Sequence, residues 1–213
     1  MYKLIIFDFD GTLADTRELI IRTNQETQKA MGHAIVSEDV IQGTIGLPLA
    51  EGIMAQMPEL TPADMPQWCA TYRRIFNVLK TQYVPAIFPH VSETLETLHA
   101  NGVVLSVASS RLSVSLNEFL KLMGLLPLFS LILGADNVTA AKPDPEPVLK
   151  TMRELGLGPE ETLVVGDMPV DILMGSRAGA RTCGVTFGNS NRKELLAAGA
   201  DYVIDDFAKL LEL

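Results

Sequence analysis

Cysteine, histidine and tryptophan are all scarce here: two, three and one of them in 213 residues. Cys69 and Cys183 lie far apart, in no metal-binding or redox spacing, so two free thiols in a reducing compartment are expected and no disulfide framework. His33, His90 and His99 fall in expected loops or helices away from strand ends, which argues against zinc held by imidazole or thiolate. Long apolar runs are missing too. The longest, Leu125 to Leu133, is far below the ~20 residues that span a bilayer, and the N-terminal run breaks at Asp8, too early for a secretory signal. Positive charge is short: 17 Lys and Arg against 26 Asp and Glu give a net charge of -9. That excludes nucleic acid or an anionic membrane as the main partner, because both reward clustered basic residues. The expectation is a cytoplasmic globular protein, monomeric by default with a dimer left open.

What the chain does have is core-forming material, 47% hydrophobic residues with 20% charged, enough for one large domain or one domain with an insertion. The run from Lys3 to Phe7 reads as a strand buried on both faces, and it ends abruptly in Asp8-Phe9-Asp10-Gly11-Thr12. In extended chain Asp8 and Asp10 point to one side, and their like charges call for a cation or a proton between them. Gly11 permits a sharp exit from the strand, and Thr12 offers a hydroxyl to an anion.

A helix follows from Asp15 or Thr16 to Gly32. The span 37–80 carries helical patterns only: Ser37 as a cap before Val40 and Ile41, a break at Gly43 to Pro48, and a helix from Pro66 through Lys80. Met31, Met54, Met57 and Met65 read as core filler there and Trp68 as packing, with Arg73 and Arg74 on a solvated face. About 65 mostly helical residues between two strands is far longer than an ordinary crossover, and reads as an inserted helical domain. From Ser92 onward strands alternate with helices: strands at Val103–Ala108, Leu131–Leu133, Leu163–Gly166, Thr182–Thr186 and Tyr202–Ile204, with a helix at the C-terminus. The pattern predicts an α/β fold, doubly wound, with a mainly parallel sheet covered by helices on both faces.

In such a sheet ligands lie beyond the carboxyl ends of the strands. Asp8 and Asp10, Ser109, Lys142, and Asp167 with Asp171 all follow strands or the loops after them. Three acids at strand ends, a hydroxyl, a lysine and a threonine suit a phosphate together with Mg²⁺, a hard cation that prefers oxygen ligands. A phosphoryl group adds negative charge to a site already rich in carboxylates, so both the metal and Lys142 are needed to offset repulsion.

Taken in order, these motifs resemble the haloacid dehalogenase-like hydrolase superfamily, and within it the small-molecule phosphatases typified by phosphoglycolate phosphatase. The first motif, Asp-x-Asp-x-Thr, is matched by Asp8 to Thr12; the second, a Ser or Thr after a strand, by Ser109; the third, a Lys before a helix, by Lys142; the fourth by Gly166-Asp167 with Asp171. The resemblance implies a Rossmann-like core over 1–15 and 84–213 and a helical cap over 16–83 that selects the substrate. It implies Asp8 as nucleophile, forming an aspartyl-phosphate, and Asp10 as acid and base. Mg²⁺ would be held by Asp8, the backbone carbonyl of Asp10, and Asp167, with Asp171 either reaching a metal-bound water or orienting Lys142. Thr12, Ser109 and Lys142 would hold phosphoryl oxygens, and Gly46, Leu47 and Pro48 in the cap loop would face the substrate, a small phosphorylated metabolite. A phosphosugar mutase of the β-phosphoglucomutase type is the nearest rival. It is disfavoured by Gly166, where related mutases carry an acid, and by Leu47-Pro48, where they carry a basic residue. A non-catalytic phospho-acceptor module is more remote, because its motifs run in another order without a long insertion.

Overall fold

The computed structural model describes residues 2–213. The chain opens with β1 (Leu4–Phe7), turns at once into a two-residue strand β2 (Ala14–Asp15), and runs into four helices: α1 (Arg17–Ala30), α2 (Glu38–Gln42), α3 (Leu49–Gln56) and α4 (Met65–Leu79). It returns through β3 (Ala86–Ile87), which pairs antiparallel with β2, Ala14 opposite Ile87 and Asp15 opposite Ala86. The outgoing and returning chain are therefore stitched together at the base of the helical segment. Neither β2 nor β3 is visible in the sequence pattern, since two residues are shorter than any period.

From there helices and strands alternate as expected: α5 (Val91–Ala100), β4 (Val104–Ala108), α6 (Ser113–Leu122), β5 (Leu131–Leu133), α7 (Glu146–Leu155), β6 (Thr162–Gly166), α8 (Pro169–Arg177), β7 (Arg181–Val185), α9 (Arg192–Ala197) and β8 (Tyr202–Ile204). Local chemistry marks several ends. Gly156 closes α7 in the left-handed region at φ 69°, which glycine alone adopts without steric cost. At α9 the Asn191 side chain accepts from the Glu194 amide while Glu194 accepts from that of Asn191, satisfying two otherwise orphaned donors. The C-terminal segment Phe207–Glu212 is 3₁₀ rather than the α-helix expected, and begins on the Asp206 carboxylate, which accepts from the Ala208 amide. The tighter winding is common in short terminal pieces.

Six strands form one parallel sheet in the order β5-β4-β1-β6-β7-β8. β1 alternates strictly: Ile5 and Phe7 enter the larger core cluster, and Leu4 and Ile6 the cluster on the opposite face. That is the period of two in a strand buried on both sides. The winding leaves β1 in one direction and resumes with β6 on its other side, so the strand order reverses between β1 and β6. The residues just beyond these two strands are Asp8 and Asp167.

The helical segment has a small core of its own, made by Ile53, Met57, Met65, Trp68 and Cys69, with Met31 and Met54 packed on it. Trp68 and the methionines are packing residues there, as their spacing suggested. Leu19 and Phe76 instead join the main core, so α1 and α4 are anchored in it. Among the described residues no helix is long and apolar enough to cross a membrane.

Phe207 tests whether the terminal 3₁₀ turn is part of the cooperative core. Its ring is fully buried and stacks on Phe7 at 5.7 Å between centroids. Phe207→Ala is expected to cost about 3–5 kcal/mol in urea unfolding; a loss under about 1 kcal/mol would mean that the segment frays independently.

Candidate active site

Beyond the ends of β1 and β6 the structure brings together Asp8, Asp167, Asp171 and Lys142, all buried. The Lys142 ammonium lies between two carboxylates, donating to Asp8 Oδ1 at 2.6 Å and to Asp171 Oδ1 at 2.7 Å. Asp171, in the first turn of α8, also accepts from the Met168 amide at 3.1 Å, which fixes its rotamer. Asp167 is held from three sides. Thr12 Oγ1 donates to its Oδ1 at 3.2 Å, and the backbone amide and side-chain amide of Asn189 donate to its Oδ2 at 2.7 and 2.8 Å. Space around it is so short that a β-carbon on Gly11 or Gly188 would collide with the Asp167 carboxylate. Gly11 in addition sits at φ +91°, in the tight turn where the amides of Thr12, Leu13 and Ala14 all donate to the Phe9 carbonyl.

The charges in this cluster do not balance. One ammonium faces three carboxylates, which leaves two negative charges in a volume closed to bulk water. The titration behaviour follows: burial, and then the neighbouring carboxylates, push Asp8 well above the usual carboxylate range despite Lys142, and burial with Asp171 pushes Asp167 up to about 7. Lys142 is raised, because Asp171 and Asp8 outweigh the effect of its burial. One oxygen from each of Asp8, Asp167 and Asp171 falls within 4.8 Å of the others. Three hard oxygen donors and a surplus of two negative charges fit a divalent cation of the Mg²⁺ type.

Asp10 takes a different course. The expectation that a cation or proton lies between the Asp8 and Asp10 carboxylates is corrected by a guanidinium that the sequence reading passed over. β1 ends at Phe7, the chain turns, and the Asp10 carboxylate meets Arg111 in a two-pronged ion pair, through Nη2 to Oδ1 and through Nε to Oδ2 at 3.2 Å. The Arg111 guanidinium lies 5.0, 5.1 and 5.7 Å from the ring centroids of Phe119, Phe76 and Phe9, a cationic plane boxed by aromatic faces. Burial would lower its pKa, and the Asp10 charge more than offsets that.

Ser109 directly follows β4, is buried, and accepts from the Arg111 amide at 3.2 Å. The Thr12 hydroxyl, expected to meet an anion, donates to the Asp167 carboxylate. Asp8, Asp10 and Ser109 line the floor of a cavity of about 650 Å³ between the sheet end and the helical segment, with Gly46, Leu47 and Pro48 on its opposite wall. Arg111 and Asn189 are the two site residues that sequence reasoning missed. Both stand in loops after parallel strands, where the rule that found Ser109 would also have found them.

Comparison with known proteins agrees with this geometry. The haloacid dehalogenase-like hydrolase family matches residues 5–185. The chain is 34% identical to the pyrophosphatase PpaX of Oceanobacillus iheyensis over 99% of its own length and 96% of that protein. It is 30% identical to a phosphoglycolate phosphatase of Vibrio cholerae over 99% and 96% of the two chains. The fold superimposes on a solved structure from Bacteroides fragilis, assigned to the haloacid dehalogenase-like hydrolases, with a TM-score of 0.94 at 28% identity, covering 99% of this chain and 100% of that one. By its motifs, its fold and its relatives the chain belongs to the haloacid dehalogenase-like hydrolases and is a phosphatase of that family.

Proposed function

We propose that the protein is a Mg²⁺-dependent phosphatase that hydrolyses a small phosphorylated metabolite through an aspartyl-phosphate on Asp8. The observation that carries this reading is the double position of Asp8, which belongs to the buried carboxylate cluster and also lines the cavity beside Asp10 and Ser109. A phosphoryl group lying over Asp8 meets a nucleophile whose carboxylate Lys142 has already oriented.

In the first half-reaction an Asp8 oxygen bonds to phosphorus and the ester P–O bond breaks, the leaving oxygen taking a proton from Asp10, which has to leave its Arg111 pair and be protonated for this step. In the second, water bonds to phosphorus and gives a proton to Asp10, and the bond between phosphorus and Asp8 breaks to restore the carboxylate. Proton transfer of this kind contributes about 10²- to 10⁴-fold. Asp8 and Asp167, with the Asp10 backbone carbonyl and Asp171 beside them, would hold Mg²⁺, which supplies positive charge against the phosphoryl oxygens when bound. Ser109 and Lys142 hold those oxygens, while Thr12 serves by orienting Asp167. We take the segment α1–α4 as a cap over the site and a reducing cytoplasm as its setting. The names of the relatives, a pyrophosphatase and a phosphoglycolate phosphatase, favour hydrolysis over the mutase and phospho-acceptor readings.

Asp8→Asn is expected to lower kcat/KM for p-nitrophenyl phosphate by about 10³-fold or more while circular dichroism stays that of the wild type. Turnover without added divalent cation, or a variant of undiminished activity, would overturn the assignment. A second expectation concerns pH. With Asp167 near 7 in the metal-free protein, a proton competes for the site below that value and is absent above it. Apparent Mg²⁺ affinity measured by isothermal titration calorimetry is expected to fall roughly tenfold from pH 8 to pH 6. An affinity flat over this range would place the metal elsewhere.

A further inference from the structure

The cavity is larger and more apolar than the substrates named for the relatives require. A cleft of about 650 Å³, partly open to solvent, offers more room than the about nine non-hydrogen atoms of pyrophosphate or phosphoglycolate occupy. The excess does not come from a cap swung away, because the helical segment is already seated on the core from both sides. Ser110 Oγ donates to the Gly46 carbonyl at 2.7 Å, and at the other flank Lys80, just past the end of α4, pairs with Glu118 on α6 at 2.5 Å. Phe76 of α4 lies against the Arg111 guanidinium between them.

The wall remote from Asp8 is dominated by Ile45, Leu47, Ile53, Tyr72 and Phe76. Arg73 and Asn77 of α4 also line the cavity as exposed polar side chains, while the other polar groups are mostly engaged within the protein. Asn24 donates to the Ile20 carbonyl at 2.9 Å, and Gln56 donates to Thr44 at 2.8 Å and accepts from Gln28 at 3.1 Å. Arg111 is paired with Asp10, and Lys80 with Glu118. A wall whose donors and acceptors are satisfied in this way recognises shape and apolar surface.

Building on the phosphatase reading, we infer that the substrate is a phosphate monoester whose alcohol carries a predominantly apolar body, aliphatic or aromatic, of about ten non-hydrogen atoms or more. The phosphoryl group rests over Asp8, and the body fills the space under α3 and α4. Pyrophosphate and phosphoglycolate, with charge where the wall is apolar, are poor fits.

A homologous series of primary alkyl phosphates tests this, because the leaving oxygen keeps its reactivity while the body grows. With Mg²⁺ present, kcat/KM is expected to rise roughly two- to fourfold per buried methylene, so that n-hexyl phosphate exceeds ethyl phosphate at least tenfold and also exceeds pyrophosphate and phosphoglycolate. Leu47→Trp and Asn77→Trp, which place a bulky ring in the cavity from the loop and from α4, are expected to cut the hexyl-to-ethyl ratio at least fivefold. Two positions are used so that a folding defect in one, detected by its melting curve, leaves the other to decide. A flat series, or a preference for pyrophosphate or phosphoglycolate, would overturn the inference and leave the phosphatase intact. Absence of phosphate release from every ester would overturn both.

Discussion

Three buried carboxylates sharing one ammonium is the constraint on which the rest of this structure depends. An unpaired buried charge costs several kcal/mol even after the protein relaxes, so the surrounding chain is arranged to lower that cost for each acid. Lys142 bridges Asp8 and Asp171. Asp167, without a lysine, collects three hydrogen bonds from Thr12 and Asn189. The glycines at 11, 166 and 188 are the corollary, since a side chain at any of them would occupy space that Asp167 or Asp171 fills. With all three acids ionised the cluster carries a surplus of two negative charges, which a divalent cation would offset. The position follows from topology, because β1 and β6 are adjacent strands at the reversal of strand order and deliver Asp8 and Asp167 side by side.

Asp8 and Asp10 are two residues apart, yet they inhabit opposite electrostatic surroundings. Asp8 shares its counterion and is driven toward the neutral form by burial; Asp10 has the Arg111 guanidinium to itself in a bidentate pair. The cause is local. The strand ends at Phe7, and the turn from Phe9 to Ala14, closed on the Phe9 carbonyl, rotates Asp10 out of register with Asp8. Two like groups in one short turn are thus held in unlike environments.

Most of the core was legible because its strands are short, apolar and terminated by polar residues, and because helices are bracketed by Asn, Gly and Pro. Asp8, Ser109 and Asp167 could be read for the same reason, each following an apolar strand directly, while Lys142 and Asp171 were read from the loops and motifs that come after. Arg111 escaped because an arginine three residues past a strand reads as a surface group, and nothing linear announces that Phe9, Phe76 and Phe119, drawn from three separate segments, box it in. The α3 helix escaped because Leu-Ala-Glu-Gly-Ile-Met-Ala-Gln has a glycine at its centre and one charge, too little contrast for a helical period. The pairing of β2 with β3 joins residues some seventy positions apart through two residues on each side, and only the folded chain reveals it. Thr12 shows the limit of motif reading, since its presence was anticipated and its hydroxyl's partner was not.

The separation between chemistry and selection has a physical basis in where the groups are rooted. Asp8, Asp167 and Lys142 stand on loops beyond the parallel sheet and Asp171 in the first turn of α8, and none comes from α1–α4. The far wall of the cavity, by contrast, is furnished by the cap loop and by α3 and α4, whose packing around Trp68 forms a separate small core. Substitutions there can reshape the cavity without touching the carboxylate cluster. The two systems meet at Arg111, which pairs with Asp10 on one edge and lies against Phe76 of α4 on its face. Because a guanidinium is rigid and planar, a shift of α4 that moves Phe76 acts on the same group that holds the Asp10 carboxylate.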